Sequence, residues 1–171
     1  MKIVNIVAVA KMKEPFDLDM LLNKLDNTEK DSFWVKTRLK PENYYVAFYG
    51  SGKFLITGIK DIKTIDIISK RVIGLLQDAD IDNTLEIVEI KNIVMTDEIK
   101  LNMSLDDIIV ALNTTSASYE PETFPGLFYK DSEGINFTLF SSGKIIITGF
   151  IDIKLAENNL NKFKELMMSL N

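Results

Sequence analysis

The chain has 171 residues, of which 46% are hydrophobic and 26% charged, with a formal net charge of -5. This composition indicates a folded globular protein rather than a disordered one. Cysteine and histidine are both missing, which excludes disulfides, thiolate or imidazole zinc sites, cysteine nucleophiles and Ser-His-Asp catalysis. We therefore expect no enzymatic activity, no metal and no cofactor.

The chain is predicted to begin with a buried strand over residues 3–11, followed by a short helix. The apolar stretch is interrupted by Asn5 and Lys11 and is too short to cross a membrane, so we expect neither a signal peptide nor a membrane segment and a cytoplasmic protein. Asp17 is a suitable N-cap for the helix. The apolar positions that share one helical face are Leu18, Leu21, Leu22 and Leu25.

Three further strands and a longer helix complete the first half of the chain. The strands are predicted over 33–40, 44–49 and 53–59, and a tight hairpin at Gly50-Ser51-Gly52 joins the last two. Apolar residues at helical spacing predict the helix; they are Ile65, Ile68, Val72, Leu75 and Ala79. A linker is expected over 80–83.

The second half repeats the first. The segment 2–7 recurs at 89–94, and both copies share Asn-Ile-Val. The segment 51–58 recurs at 142–149, and both copies begin with Ser-Gly-Lys and end with Ile-Thr-Gly. Ser104 and Asp107 form a capping-box signature before a helix. The terminal helix is predicted from Leu160, Phe163, Met167 and Leu170. We expect two copies of one unit, 1–82 and 83–171.

The predicted strands are apolar on both faces. Val7 and Val9 point to one face of the first strand, while Ile6, Ala8 and Ala10 point to the other. An antiparallel sheet with helices on one side should have a polar solvent side, and two helices per copy suffice for one layer only. The second apolar face is therefore predicted to be a binding surface or an oligomer interface.

One segment carries a specific resemblance. Residues 118–127, Ser-Tyr-Glu-Pro-Glu-Thr-Phe-Pro-Gly-Leu, followed by Phe-Ser-Ser-Gly-Lys at 140–144 and Ile-Thr-Gly at 147–149, resemble the second repeat of the TATA-box-binding proteins. The duplicated Asn-Ile-Val blocks extend the resemblance over nearly the whole chain. The lack of a long N-terminal extension is similar to the archaeal members of that family.

The resemblance implies an α+β fold with two-fold pseudo-symmetry and the form of a saddle. A continuous curved antiparallel sheet would carry the helices on its convex face and leave its apolar concave face for double-stranded DNA. The implied function is that of a general transcription initiation factor, which binds and bends an AT-rich, TATA-like promoter element through the minor groove. An acidic chain can do this because charge acts locally. In an archaeal cell the protein would be nucleoid-associated.

The resemblance also assigns DNA-binding residues. Asn5 and Asn92 match the central asparagines that donate to bases. Val7 and Val94 lie beside them, and the groove-lining positions of the strand after each hairpin are Leu55, Thr57, Ile146 and Thr148. Phe124 and Phe140 match a pair of aromatic wedges that enter a base step. The basic positions that reach phosphates are Arg38, Lys53, Lys130 and Lys144, and Lys36 is a further candidate.

The first repeat departs from the family pattern. Tyr49 stands where the family has its second wedge phenylalanine, and the other wedge is assigned to Phe33. Counting back from Arg38 leaves Ser32 and Trp34 as alternatives. Thr138 and Ala47 replace larger apolar residues. A hydroxyl pushed into a base stack must find a partner or cost about 1–3 kcal/mol, so a weaker kink is expected at the first repeat.

The resemblance further implies partners of the transcription machinery. Glu120 and Glu122 match the acidic residues that dock transcription factor B, which in turn brings RNA polymerase; the segment 29–32 of the first repeat lacks this pattern. One alternative is a diverged paralogue that regulates through protein interactions, with weak or no DNA binding, as Tyr49, Thr138 and the acidic balance allow. Its apolar face would hold another protein or form a homodimer in the absence of DNA. An enzyme acting on nucleic acid with the same fold ranks last.

Overall fold

The computed structural model describes residues 1–170, which contain ten strands and four α-helices. The strands are β1 (Lys2–Met12), β2 (Glu29–Lys30), β3 (Trp34–Leu39), β4 (Tyr44–Tyr49), β5 (Lys53–Ile59), β6 (Leu85–Glu98), β7 (Ala117–Ser118), β8 (Gly126–Lys130), β9 (Asn136–Phe140) and β10 (Lys144–Phe150). The helices are α1 (Leu18–Lys24), α2 (Ile65–Asp78), α3 (Leu105–Leu112) and α4 (Ile153–Ser169). A short 3-10 helix, Ile62–Thr64, precedes α2.

The strands of residues 1–170 form one open antiparallel sheet in the order β2-β3-β4-β5-β1-β6-β10-β9-β8-β7. The predicted α+β class is thereby confirmed. The outermost strands β2 and β7 were not predicted. Each has two residues, which is too short for an alternating pattern to show in the sequence.

The chain divides into two compact units. The N-terminal unit comprises residues 5–91, and the C-terminal unit comprises residues 1–4 together with the chain from Asn92 onward. These units follow spatial contacts, whereas the predicted repeats 1–82 and 83–171 follow sequence similarity. The spatial division cuts β1 after Val4 and β6 after Lys91, whereas the predicted boundary between residues 82 and 83 lies outside both strands.

The core of the N-terminal unit lies on one face of its strands. In β1, Ile6, Ala8 and Ala10 are buried, while Val7 and Val9 between them are half-buried. Apolar side chains from α1 and α2 cover the buried face, and their buried members are Leu21, Ile65, Ile68, Val72 and Leu76. Burial of such aliphatic side chains supplies about 1.5–3 kcal/mol each. Of the two apolar faces predicted for the strands, one is therefore buried in the core and the other is only half-buried.

The C-terminal unit repeats this arrangement with an aromatic core. Phe137 of β9 stacks on Phe163 of α4 with ring centroids 4.6 Å apart, and Tyr129 of β8 packs against the same helix residue at 5.4 Å. Offset aromatic pairs of this kind contribute about 0.5–1.5 kcal/mol beyond the burial of their area. They fix α4 on the core face of the sheet.

The predicted helix starts are confirmed by their hydrogen bonds. Asp17 caps α1 by accepting from the backbone N–H groups of Asp19 and Met20, each at 3.0 Å. At α3, the Ser104 hydroxyl accepts from the Asp107 N–H at 3.1 Å and donates to the Asp107 carboxylate at 2.6 Å. A side-chain acceptor at the N-cap satisfies backbone donors that the helix leaves unpaired.

The duplicated Ser-Gly-Lys hairpins depend on glycine. Gly52 and Gly143 have positive φ angles of 80° and 83°, which residues with a Cβ rarely adopt. A Cβ at Gly52 would lie 2.6 Å from the Glu14 carbonyl oxygen, and one at Gly143 would lie 1.9 Å from that of Ile99. The backbone at Glu14 and at Ile99 therefore packs directly on the hairpin glycine of its unit. This close contact explains why both copies have glycine at this position.

Within residues 1–170, no helix is both long and apolar enough to cross a membrane.

The Asp97 carboxylate ties α4 to β6 in the C-terminal unit. It accepts from the Lys164 Nζ at 2.8 Å, and the amino group of Met1 lies 3.2 Å away. Partial burial raises the pKa of the Asp97 carboxyl, but hydrogen bonds from Lys164, the Glu98 N–H and the amino terminus outweigh this effect, and the pKa lies below its ordinary value. A lowered pKa means that the charged carboxylate stabilises the folded state.

Asp97→Asn is expected to lower the free energy of unfolding by about 1 kcal/mol near neutral pH, because the substitution removes the charge from this network. The carboxylate contributes stability above its unfolded pKa of about 3.9 and loses it as the pH falls through the folded value. Urea unfolding at about pH 7 and about pH 3 should show a smaller difference at the lower pH, where the carboxylate begins to protonate. The exposed Asp82, which has no salt bridge within residues 1–170, is the control; equal effects of Asp82→Asn and Asp97→Asn would contradict the assignment.

Candidate nucleic-acid interface

In each unit, the sheet face opposite the helices is called here the open face. In the N-terminal unit, strand register places Lys36, Ala47, Leu55 and Val9 side by side across β3, β4, β5 and β1. Apart from the buried Ala47, these side chains are half-buried, and they alternate along the strands with the buried residues of the core. A second row consists of Arg38, Tyr45 and Thr57.

The open face of the C-terminal unit carries no charged residue in its matching row. The corresponding row runs through Phe128, Thr138, Ile146 and Thr96 across β8, β9, β10 and β6. Phe128 is 45% exposed, which is unusual for a phenylalanine in the middle of a strand. Val94 and Thr148 are half-buried on the same face. The predicted positions Val7, Leu55, Thr57, Val94, Ile146 and Thr148 thus all lie on the open faces.

The asparagines Asn5 and Asn92 occupy matching positions in the two units. The Asn5 Oδ1 accepts from the Gly58 N–H at 2.7 Å, and the Asn92 Oδ1 accepts from the Gly149 N–H at 3.0 Å. Both glycines have positive φ angles, 98° and 85°, and each lies at a bulge where the strand register shifts. The bulge turns the glycine N–H toward the asparagine, as an extra residue in one strand of a pair can do.

This bond fixes the orientation of each side-chain amide. Because Oδ1 is held by a backbone donor, the amino group of the amide is the end that remains for another partner. In the N-terminal unit, the Asn5 Nδ2 also lies 2.9 Å from the Thr57 Oγ1. Within residues 1–170 the Asn92 Nδ2 makes no hydrogen bond, so Asn92 presents two N–H donors on the open face and Asn5 at least one.

Three phenylalanines cluster at the outer end of the open face in the C-terminal unit. The Phe124 ring stacks on Phe128 at 5.0 Å and meets Phe140 edge-on at 5.9 Å. Gly126 makes room for them, because a Cβ there would lie 2.7 Å from the Phe124 ring and from the Thr138 methyl group. Phe124 remains 38% exposed. The two predicted wedge residues of this unit therefore lie together.

The matching end of the N-terminal unit is built differently. Trp34 lies opposite Tyr49 across β3 and β4, with ring centroids 6.1 Å apart. Phe33, the residue assigned to the wedge, precedes β3; it is 74% exposed and contacts no aromatic ring within residues 1–170. The structure thus brings Tyr49 together with the alternative Trp34.

The predicted phosphate contacts differ in how they are held. Lys53, Lys130 and Lys144 are exposed and form no salt bridge within residues 1–170. The Arg38 guanidinium lies 5.1 Å over the Tyr45 ring, and the Asn43 carbonyl lies 3.4 Å from its Nη1. These contacts hold Arg38 at the margin of the open face.

Lys36 is engaged by an acidic neighbour. Its Nζ lies 2.9 Å from the Glu29 carboxylate, and this hydrogen bond raises the pKa of the Lys36 ammonium and lowers that of the Glu29 carboxyl. A phosphate would have to compete with Glu29 for this lysine. We therefore expect Lys36 to contribute less than the unpaired lysines.

The acidic residues Glu120 and Glu122 lie in the turn that leads into β8. Both are exposed and form no salt bridge within residues 1–170. The Glu120 carbonyl accepts from the N–H groups of Thr123 and Phe124 at 3.0 and 2.9 Å. The turn that carries the carboxylates therefore also positions the Phe124 ring.

Some residues of the open faces were missed in the sequence. Phe128 and Thr96 follow from strand alternation, since they stand two residues from Lys130 and Val94 respectively. Gly58 and Gly149 belong to the repeated Thr-Gly pair, and a glycine repeated inside a strand is a signal for a bulge.

The chain is similar in sequence and in fold to known proteins. The family model described as "Transcription factor TFIID (or TATA-binding protein, TBP)" matches residues 1–79 and 87–170. The TATA-box-binding protein of Methanocaldococcus jannaschii is 36% identical over 167 residues, covering 94% of this chain and 90% of that protein. That of Methanothermobacter thermautotrophicus is 32% identical over 175 residues, covering 99% and 95%.

A solved structure described as "Methanococcus jannaschii TBP" has a TM-score of 0.84 with this chain at 33% sequence identity, covering 98% of both chains. The resemblance drawn from segment 118–127 and from the repeated hairpins is therefore confirmed, and the relatives are archaeal. Because the family model matches both halves and the relatives cover nearly the whole length, this chain belongs to the TATA-binding protein family.

Proposed function

We propose that the open faces bind an AT-rich, TATA-like promoter element through the minor groove and bend it, and that the chain acts as a general transcription initiation factor. The family consists of non-enzymatic transcription factors, and the chain is not an enzyme. The observation that carries the proposal is the second sheet face in each unit, which lies opposite the helices and is largely apolar. On this face, backbone hydrogen bonds hold the Oδ1 atoms of Asn5 and Asn92 and leave amino N–H donors available.

An apolar face suits the minor groove of AT-rich DNA. That groove offers only the adenine N3 and thymine O2 acceptors at A·T pairs, whereas G·C pairs add a protruding amino donor. Val94, Ile146 and Leu55 can pack on sugars and base edges where no amino group intervenes. The Asn5 and Asn92 amino groups supply the donors that those acceptors need.

The phenylalanine cluster of the C-terminal unit supports bending. Apolar wedges that unstack a base step and kink the duplex are known from TATA-binding proteins themselves. Phe124 is partly exposed and packs against Phe128 and Phe140, so its ring can meet a base step without losing these contacts. This unit is expected to produce the stronger kink.

Basic side chains that form no salt bridge within residues 1–170 supply the phosphate contacts. Lys53, Lys130, Lys144 and Arg38 lie at or beside the open faces, so the acidic average of the chain does not prevent DNA binding. Four phosphate contacts predict a slope of about -3 to -4 in a plot of log affinity against log salt. Such contacts fix register on the duplex without reading sequence.

Titration of a labelled AT-rich duplex, with a GC-substituted duplex of equal length as control, tests the proposal by fluorescence anisotropy. The AT-rich duplex should bind at least about tenfold more tightly, because each unfavourable base pair costs about 1–3 kcal/mol. Binding should weaken with salt at the slope given above. Failure to bind either duplex would favour the diverged paralogue, whose open face would pair with a second copy or with another protein.

Recruitment of transcription factor B, and of RNA polymerase through it, is a further part of the proposal. The exposed and unpaired carboxylates of Glu120 and Glu122 support it, since charged groups on a rim steer and orient a basic partner. Their turn ends in Phe124, so partner and DNA would meet at the same end of the C-terminal unit. We expect such a complex to form in the cytoplasm, on the nucleoid.

The double substitution Glu120→Lys and Glu122→Lys should weaken binding of transcription factor B to the DNA complex by about tenfold or more, because like charges then face each other. Affinity for the duplex alone should not fall. The control is Glu157→Lys with Glu165→Lys, which makes the same charge change on the exposed side of α4. A supershift assay in which both double variants behave alike would contradict this partner surface.

A further inference from the structure

Trp34 and Gly126 occupy equivalent places in the two units. Each stands at the first position of its strand and lies opposite the last aromatic residue before the hairpin, Tyr49 in β4 and Phe140 in β9. The equivalent of Phe124, two residues before the strand position, is Ser32 in the N-terminal unit. The N-terminal unit therefore lacks a ring at the wedge position and has one at the position where the C-terminal unit has none.

The Trp34–Tyr49 pair of the N-terminal unit corresponds to the Phe124–Phe140 pair of the C-terminal unit. In the C-terminal unit, Phe124 lies over Gly126, so closely that a Cβ there would be 2.7 Å from the ring. A side chain at the equivalent of Gly126, as at Trp34, would clash with a ring placed as Phe124 is. The pair that results has similar geometry, since Trp34 lies 6.1 Å from Tyr49 and Phe124 lies 5.9 Å from Phe140.

The exposed part of the indole is carbon. The Trp34 Nε1 is buried without a hydrogen-bond partner within residues 1–170, while the residue as a whole is half-buried. Every exposed side-chain atom of Trp34 is thus apolar, which suits contact with a base or a sugar. Arg38 lies on the same face of the same strand and can meet the neighbouring phosphate.

We propose that Trp34, supported by Tyr49, is the base-stacking residue of the N-terminal unit and that Phe33 is not. Trp34 is held within β3 by its pairing with Tyr49, whereas Phe33 lies before the strand without an aromatic neighbour. The Trp34 ring is fixed to the strand and contacts the duplex from the face of the sheet. This proposal rests on the proposed function, because it presumes duplex DNA on the open face.

Fluorescence tests the proposal directly, because Trp34 is the only tryptophan in the chain. Saturation with the AT-rich duplex should quench its emission and reduce its accessibility to acrylamide, since stacking on a base covers the ring. The Phe33→Ala variant should bind within about twofold of the unchanged chain, whereas Trp34→Ala should lose about tenfold in affinity, as expected for one lost aromatic stack. Trp34→Phe should restore most of that loss.

The outcomes separate this proposal from the proposed function. If the unchanged chain binds the duplex but Trp34 emission and accessibility stay constant, or if Phe33→Ala costs more affinity than Trp34→Ala, the assignment of Trp34 is wrong and DNA binding stands. If the unchanged chain binds no duplex, both proposals are overturned. Thermal unfolding of each variant shows whether it is folded, and the emission experiment on the unchanged chain decides the matter where Trp34→Ala does not fold.

Discussion

Val94→Glu is expected to reduce the affinity for AT-rich duplex by at least about a hundredfold, because it buries an unpaired carboxylate against a polyanion. Val94 lies half-buried on the open face of β6, beside the Asn92 amide. The substituted chain should still fold, since the position is not part of the core and strand propensity changes by about 1 kcal/mol at most. Anisotropy titration measures the loss, and a thermal melt confirms that the variant is folded.

Val110→Glu is the matched control. Val110 lies on α3 in the same unit and is 77% exposed, so the same substitution adds the same charge away from the open face. Its affinity for the duplex should stay within about threefold of the unchanged chain, as long-range repulsion is screened within about 10 Å. Equal losses at Val94 and Val110 would mean that net charge, and not the open face, governs binding.

Phe124→Ala should have the second-largest effect, with about a tenfold to hundredfold loss of affinity and a clear loss of bending. The Phe124 ring is 38% exposed within the phenylalanine cluster, and loss of one aromatic stack on a base costs about 1–3 kcal/mol. Its ring neighbours Phe128 and Phe140 are left unchanged by the substitution. Energy transfer between dyes at the two duplex ends reports the bend, and anisotropy reports the affinity.

Tyr49→Phe is the comparison for this prediction. It removes only a hydroxyl that makes no hydrogen bond within residues 1–170, so affinity should change by less than about threefold. If Phe124→Ala and Tyr49→Phe both leave binding and bending unchanged, the wedge account of the C-terminal unit is wrong.

Much of the fold was predictable because it depends on local and periodic features. The Asp17 and Ser104 caps follow from side-chain acceptors at helix starts. Alternation along β1 and the strands after the hairpins separates the core face from the open face. The need for a second apolar face could be deduced from the number of helices, and the structure leaves that face uncovered in both units.

The structure was needed for features that depend on strand register and three-dimensional packing. Counting from Arg38 could not choose among Ser32, Phe33 and Trp34, because a shift of one residue moves a side chain to the other face. Strand pairing places Trp34 opposite Tyr49. The hydrogen bonds from Gly58 and Gly149 to the asparagines also depend on bulges, whose exact course is set by the partner strand.

For charge, too, the sequence shows the total and the structure shows the arrangement. The net charge of -5 is visible in the sequence, but the distribution of partners is not. Only the structure shows that Glu29 engages Lys36, while Lys53, Lys130 and Lys144 form no salt bridge within residues 1–170. The positive charge on the open faces therefore comes from side chains without salt bridges, although the chain as a whole is acidic.

The most direct test of the open face uses the absence of cysteine from the chain. Thr148→Cys places a single thiol on the open face, and Val110→Cys places one on α3; each is alkylated with a maleimide, with and without saturating AT-rich duplex. If DNA lies on the open face, the duplex should slow alkylation at Thr148→Cys by about tenfold or more and leave Val110→Cys unchanged, because thiolates react only where they are accessible. Equal alkylation of Thr148→Cys in bound and free protein would contradict the account.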